Sequence, residues 1–208
     1  MKSKLYTVIH FLLALPARLL FRIRTKGKKN EPKREDGPYI LCANHQTVLD
    51  IVFLCAALRR QQPHVMAKAE LFRVPVLGWL VRKLGAFPVA RGRGDVGAVK
   101  HSIQLLKNGR SLGIFPQGTR CPDQNPRDCK IKNGIGMIAA HTGAQILPAH
   151  IHMKNYHWRF FRRVTITFGK PIPFERFGYD PDAPGEYARI SALIYDEICR
   201  LGEEQGNA

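Results

Sequence analysis

The chain has 208 residues, 45% of them hydrophobic, so it can bury one sizeable core and is too apolar to be disordered. Thirty-three Lys and Arg stand against 16 Asp and Glu, a formal net charge of +17 that calls for nucleic acid, an anionic membrane or a negatively charged substrate as partner. The five cysteines include no C-x-x-C pair, which disfavours a disulfide framework or a zinc site and fits a reducing compartment.

Leu5 to Ala17 carries no Lys, Arg, Asp or Glu and is followed by Arg18, Arg22, Arg24, Lys26, Lys28 and Lys29. The stretch is shorter than the roughly 20 residues a spanning helix needs. The basic run behind it is unlike a signal peptide. We expect an N-terminal membrane-interface helix, apolar on one side, with arginines meeting lipid phosphates. A first helix packed on the domain is the alternative. Residues 1–36 are assigned to this anchor and a charged linker, Lys26 to Asp36, and residues 37–208 to the main domain.

Strands are expected at Tyr39–Ala43, His64–Ala67, Ala86–Ala90, Ser111–Phe115, Ile146–Ile151 and Val164–Phe168. Helices are expected at Thr47–Arg60, Val74–Leu84, Asp95–Lys107, Gly134–His141 and Glu186–Leu201. The βα alternation predicts an α/β fold, a mostly parallel central sheet flanked by helices. Pro148 would break a ladder bond and marks a strand end or bulge.

The strongest local signal is Asn44-His45-Gln46-Thr47-Val48-Leu49-Asp50, at a predicted strand-to-helix junction. On a continuous helix His45 and Asp50 would point about 140° apart. Across a loop and first helical turn, the carboxylate can fold back on the imidazole, fix its tautomer and leave the other nitrogen free as a base. Thr47-Val48-Leu49-Asp50 also matches a capping box, and both roles are compatible. The second signal is Ile114-Phe115-Pro116-Gln117-Gly118-Thr119-Arg120. Gly118 allows close backbone approach, and Thr119 and Arg120 offer donors suited to phosphate; a plain turn with a solvated Arg is the alternative. Gly85 to Arg91 is again a strand ending in Arg. In a parallel sheet these strand ends share one edge, so His45, Asp50, Arg91 and Arg120 would converge there.

In order and spacing, these segments resemble the glycerolipid acyltransferase family, which includes the 1-acyl-glycerol-3-phosphate acyltransferases. The resemblance runs from about Tyr39 to Phe168. It rests on H-x4-D at His45 and Asp50, the glycine-led strand to Arg91, the F-P-E-G-T-R-like Phe115 to Arg120, and the apolar-proline strand Ile146 to Pro148. The stretch from Lys68 through Phe72, Pro75 and Gly78-Trp79 is similar to the segment between the first two motifs. One position departs: Gln117 stands where the family usually has Glu.

The resemblance implies an O-acyltransferase in phospholipid biosynthesis. His45 would be the general base and Asp50 its partner. Arg91, Gln117, Gly118, Thr119, Arg120 and Lys68 would hold the acceptor, a lysophospholipid such as 1-acyl-glycerol-3-phosphate. The donor would be acyl-coenzyme A or acyl-carrier protein, with no bound cofactor and no metal. The expected location is the cytoplasmic face of the cell membrane, against anionic lipid, with no nucleic acid partner. Leu71 to Leu84 is either a wall for the acyl chain or plain core. Gln117 keeps open another lyso-lipid or amino-lipid acceptor. A non-catalytic basic membrane- or nucleic-acid-binding protein is the rival from another class; no zinc finger, K-homology loop or RNA-recognition motif supports the nucleic-acid version.

Overall fold

The computed structural model describes residues 12, 14–83, 85–89 and 96–206. Seven strands form one sheet: β1 (Arg24–Lys26), β2 (Tyr39–Ala43), β3 (His64–Lys68), β4 (Phe87–Val89), β5 (Leu112–Ile114), β6 (Gln145–Met153) and β7 (Val164–Phe168). Their spatial order is β1-β7-β6-β2-β5-β3-β4, and among the described residues the β6–β7 strand pair alone is antiparallel. Besides a helical segment over 14–20 (α1), the helices are α2 (Asp50–Ala57), α3 (Pro75–Lys83), α4 (Val96–Lys107), α5 (Gly134–Thr142) and α6 (Glu186–Gly206).

Strand β2 explains the layering. All five of its residues are buried, and its side chains alternate between faces. Tyr39, Leu41 and Ala43 pack with Phe21, Phe53 and Ala57 on one side; Ile40 and Cys42 pack with Leu106, Ile138, Ile194 and Ile198 on the other. A strand with both faces covered is apolar throughout, as the sequence shows. Pro148 lies inside β6. Ile146 pairs with Ile172, and Gly169 N–H reaches Pro148 O, so the proline falls where the β7 chain has left the ladder and no donor is missed.

The linker and the end of α2 depart from expectation. Lys26 to Asp36 is no linker. Arg24 to Lys26 pairs with Thr165 to Thr167, and the Asn30 amide donates to Phe168 O at 3.0 Å. Glu31 is buried, and its carboxylate accepts the backbone N–H groups of Arg59, Arg60 and Gln61 at 2.8, 2.6 and 3.0 Å. A charged residue that satisfies three loop donors belongs to the fold. The same contact helps explain why α2 ends at Ala57 rather than Arg60: Leu58 is extended, and the following N–H groups turn to Glu31.

The first helix packs on the domain. Ala14, Ala17 and Phe21 face the core, and Arg18 Nε donates to Ala56 O at 3.1 Å, capping the end of α2 instead of facing lipid. Leu12, Leu15 and Leu19 point outward. The start of the predicted apolar stretch, residues 5–11, lies outside the described residues. Among the described residues no helix is long and apolar enough to cross a membrane.

Candidate active site

The parallel strands β2, β5 and β3 are neighbours, so their carboxyl ends lie on one edge. His45 follows β2, Gln117 to Arg120 follow β5, and Lys68 is the last residue of β3. From β2 the chain runs through α2 to β3, and from its neighbour β5 it runs through α5 to β6 on the other side, so the two strands send their connections in opposite directions and a crevice opens between their carboxyl ends.

Asp50 is the first residue of α2 and is fully buried. Its Oδ2 lies 2.8 Å from His45 Nδ1 and accepts the N–H groups of Gln46 at 2.6 Å and Thr47 at 2.9 Å, while Oδ1 takes the Thr47 hydroxyl at 3.1 Å. The expected capping box is half built. Asp50 reaches back to Thr47 N–H, but the Thr47 hydroxyl accepts from Leu49 N–H at 3.0 Å. The loop Asn44–Leu49 therefore wraps around the carboxylate, which lets residues five apart meet. Because Oδ2 is an acceptor toward two backbone donors, Nδ1 of His45 is the donor in this pair. Nε2 has no hydrogen-bond partner among the described residues and is the free basic nitrogen.

The imidazole is fixed from three other directions. It stacks on Phe115, centroids 4.1 Å apart and planes 14° apart. His45 N–H donates to Gln117 Oε1 at 2.8 Å, and His45 O accepts Cys121 N–H at 2.9 Å. Before it, the buried Asn44 side chain clamps Ile151 with two bonds, to its O at 3.0 Å and from its N–H at 2.7 Å. Sequence reasoning assigned no role to Asn44 or Phe115. The signal available was that each belongs to a singled-out segment and directly follows the last residue of a strand.

Gln117 is buried and serves the His45 backbone, so it is not free to contact acceptor through Oε1. Gly118 has φ +67°, in the left-handed region, and a Cβ there would meet Lys132 Cδ at 2.9 Å. Gly118, Thr119 and Arg120 are exposed beside the site. Lys68 is half-exposed and lies 3.4 Å from Glu70. Arg91 lies outside the described residues. Of Leu71 to Leu84, Phe72 is buried but Val74 and Trp79 are 49% and 50% exposed, so the segment is neither wholly core nor an enclosed wall. Among the described residues no group of three His, Cys, Asp or Glu side chains is placed to hold a metal ion.

A buried His-Asp pair thus lies at the switch point of a largely parallel sheet, beside an exposed Gly-Thr-Arg turn. Residues 22–152 match the Acyltransferase family model, and the chain belongs to that family. It is 36% identical over 175 residues to a 1-acyl-sn-glycerol-3-phosphate acyltransferase of Streptococcus pneumoniae, covering 82% of this chain and 62% of that relative. It is 30% identical over 173 residues to one from Bacillus subtilis, covering 82% and 84%. A lyso-ornithine lipid O-acyltransferase of Pseudomonas aeruginosa is 36% identical over 143 residues, 68% of this chain and 51% of that relative. The fold resembles the crystal structure of the 1-acyl-sn-glycerophosphate acyltransferase of Thermotoga maritima, with a TM-score of 0.70 at 24% identity over 100% of this chain and 85% of that one.

Proposed function

We propose that the protein transfers a fatty acyl group from an acyl thioester to the free hydroxyl of 1-acyl-glycerol-3-phosphate, giving phosphatidic acid. The observation that carries this is the His45–Asp50 pair with Nε2 left unpaired. Nε2 takes the proton of the acceptor hydroxyl as its oxygen attacks the thioester carbonyl. Asp50 holds the ring and stabilises the imidazolium, which returns the proton to the leaving thiolate. General-base assistance of this kind is worth about 10²- to 10⁴-fold.

Arg120, with Gly118, Thr119 and Lys68, holds the acceptor phosphate; Arg91 is assigned the same task from its motif. Acyl-coenzyme A and acyl-carrier protein are both anionic and suit a chain of net charge +17. We assign the protein to the cytoplasmic face of the cell membrane, with the exposed leucines of α1 against anionic lipid.

The test is transfer of labelled acyl from either thioester to lysophosphatidic acid, with His45→Ala beside it. Product that depends on His45 supports the reading; equal turnover by both proteins ends it. A second reading, a lyso-ornithine lipid acceptor, is favoured by the Pseudomonas aeruginosa relative. Product with that acceptor alone would select it.

A further inference from the structure

Two surface features far apart in sequence meet near the catalytic edge. One is the outward stripe of α1, where Leu12, Leu15 and Leu19 are 62%, 50% and 67% exposed. The other is loop 157–163, which joins β6 to β7 and exposes Phe160 and Phe161 by 58% and 68% between Arg159 and the pair Arg162, Arg163. They are tied together. Phe161 N–H donates to Leu20 O at 2.6 Å, and Val164 N–H to Phe21 O at 3.1 Å. Phe160 stacks on Phe21 at 5.5 Å, and Trp158 meets both rings edge-on at 5.7 and 5.4 Å.

Phe161 is held at φ 59°, a backbone region that favours glycine and penalises a bulky side chain. A large apolar ring is thus both strained and turned to water. Neither feature helps the isolated fold, and such positions concentrate where a surface works.

We infer that loop 157–163 is a second membrane-docking element: Phe160 and Phe161 enter the apolar boundary of an anionic leaflet beside the leucine stripe, while Arg159, Arg162 and Arg163 meet lipid phosphates. Charge complementarity selects this occupant. Tyr156 to Val164 contains no acidic residue, and aromatic rings beside arginines suit the headgroup level of a bilayer. Position supplies the purpose. β6 ends on the same edge as β2, and antiparallel β7 begins there, so the loop borders the edge that carries His45. His157 Nδ1 lies 2.8 Å from Asp123 Oδ1, and the Gln46 amide donates to Gln124 O at 3.1 Å, which links the loop to the His45 turn. A leaflet seated here presents lyso-lipid headgroups at the height of the base; this purpose rests on the proposed lipid acceptor, whereas the docking itself does not.

The chain has two tryptophans, Trp79 and Trp158, so full-length Trp79→Phe protein reports on the loop alone. It is mixed with vesicles of phosphatidylcholine, with and without phosphatidylglycerol, carrying brominated acyl chains. Trp158 emission is expected to shift to the blue and be quenched, more strongly with the anionic lipid. Phe161→Gly is expected to weaken vesicle partitioning about tenfold, as for one largely buried ring. Its melting temperature should hold or rise, since glycine accepts φ 59°. If the parent pellets with vesicles but Trp158 stays unquenched and Phe161→Gly partitions equally, the loop is not a docking element and α1 acts alone. Equal binding to neutral vesicles overturns the role of the arginines. Absence of all partitioning overturns the membrane reading itself, and loss of acyl transfer with docking retained counts only against the proposed reaction.

Discussion

Oδ2 of Asp50 lies 2.8 Å from Nδ1 of His45 and also accepts the two backbone N–H groups that follow the histidine. One oxygen thus sets the ring's tautomer and folds the loop that presents it. The two roles predict different mutants. Asp50→Asn keeps an acceptor for the loop but removes the charge facing the imidazolium, so turnover should fall about 10²- to 10⁴-fold with little change in melting temperature. Asp50→Ala strands buried donors and should in addition destabilise by about 3 kcal/mol or more. Parallel kinetics and thermal melts of the two variants check this.

Gln117 anchors His45 through the 2.8 Å bond from the histidine N–H. Gln117→Leu leaves that buried donor without an acceptor, and should cost about 1–3 kcal/mol of stability together with a lower kcat. Gln117→Glu retains an acceptor and should keep more of the activity. Comparing the two by urea unfolding and turnover separates hydrogen bonding from charge.

Arg120 is exposed beside the site, where an anionic headgroup can reach it. Arg120→Ala should raise KM for lysophosphatidic acid about 10- to 100-fold, the loss of roughly 1.5–3 kcal/mol from a charge-assisted bond. kcat should change far less. An acceptor without phosphate should show no KM effect, and steady-state kinetics with both acceptors decide it.

His150 gives a pH signature unrelated to catalysis. Burial lowers its pKa to about 4, against a smaller raising effect from its 3.0 Å bond to Ile198 O, with His152 lowering and Glu203 raising it further. The unfolded chain takes up this proton near pH 6.5. The folded protein therefore binds fewer protons between those values, and stability should fall as pH drops from about 6.5 toward 4, by at most about 1.4 kcal/mol per unit from this group. Above pH 6.5 it contributes no slope. Urea midpoints across that range, set against His150→Asn, measure the effect; an equal slope in both proteins removes His150 as its source.

Most of the sheet was legible because its strands are short apolar runs bounded by turns and alternating with helices. β1 was not. Arg24, Thr25 and Lys26 have the composition of a solvated tail, and only the edge of β7 makes them a strand. Glu31 was missed for the same reason: its partners, Arg59 to Gln61, lie 28 to 30 residues on. Gln117 was expected to hold acceptor, yet it faces inward to His45, a direction that a loop motif does not specify.

The sequence by itself pointed to the acyltransferase family and to the pairing of His45 with Asp50, because those depend on residue types at short spacings within one turn of chain. The tertiary structure decided which oxygen of Asp50 folds the loop, that Phe115 and Gln117 fix the imidazole, that Arg18 caps α2, and that Phe160 and Phe161 stand beside the leucines of α1. Each of these joins segments that meet only when parallel strands bring their ends to one edge, and contact across such distances is set by packing of the whole sheet rather than by local pattern.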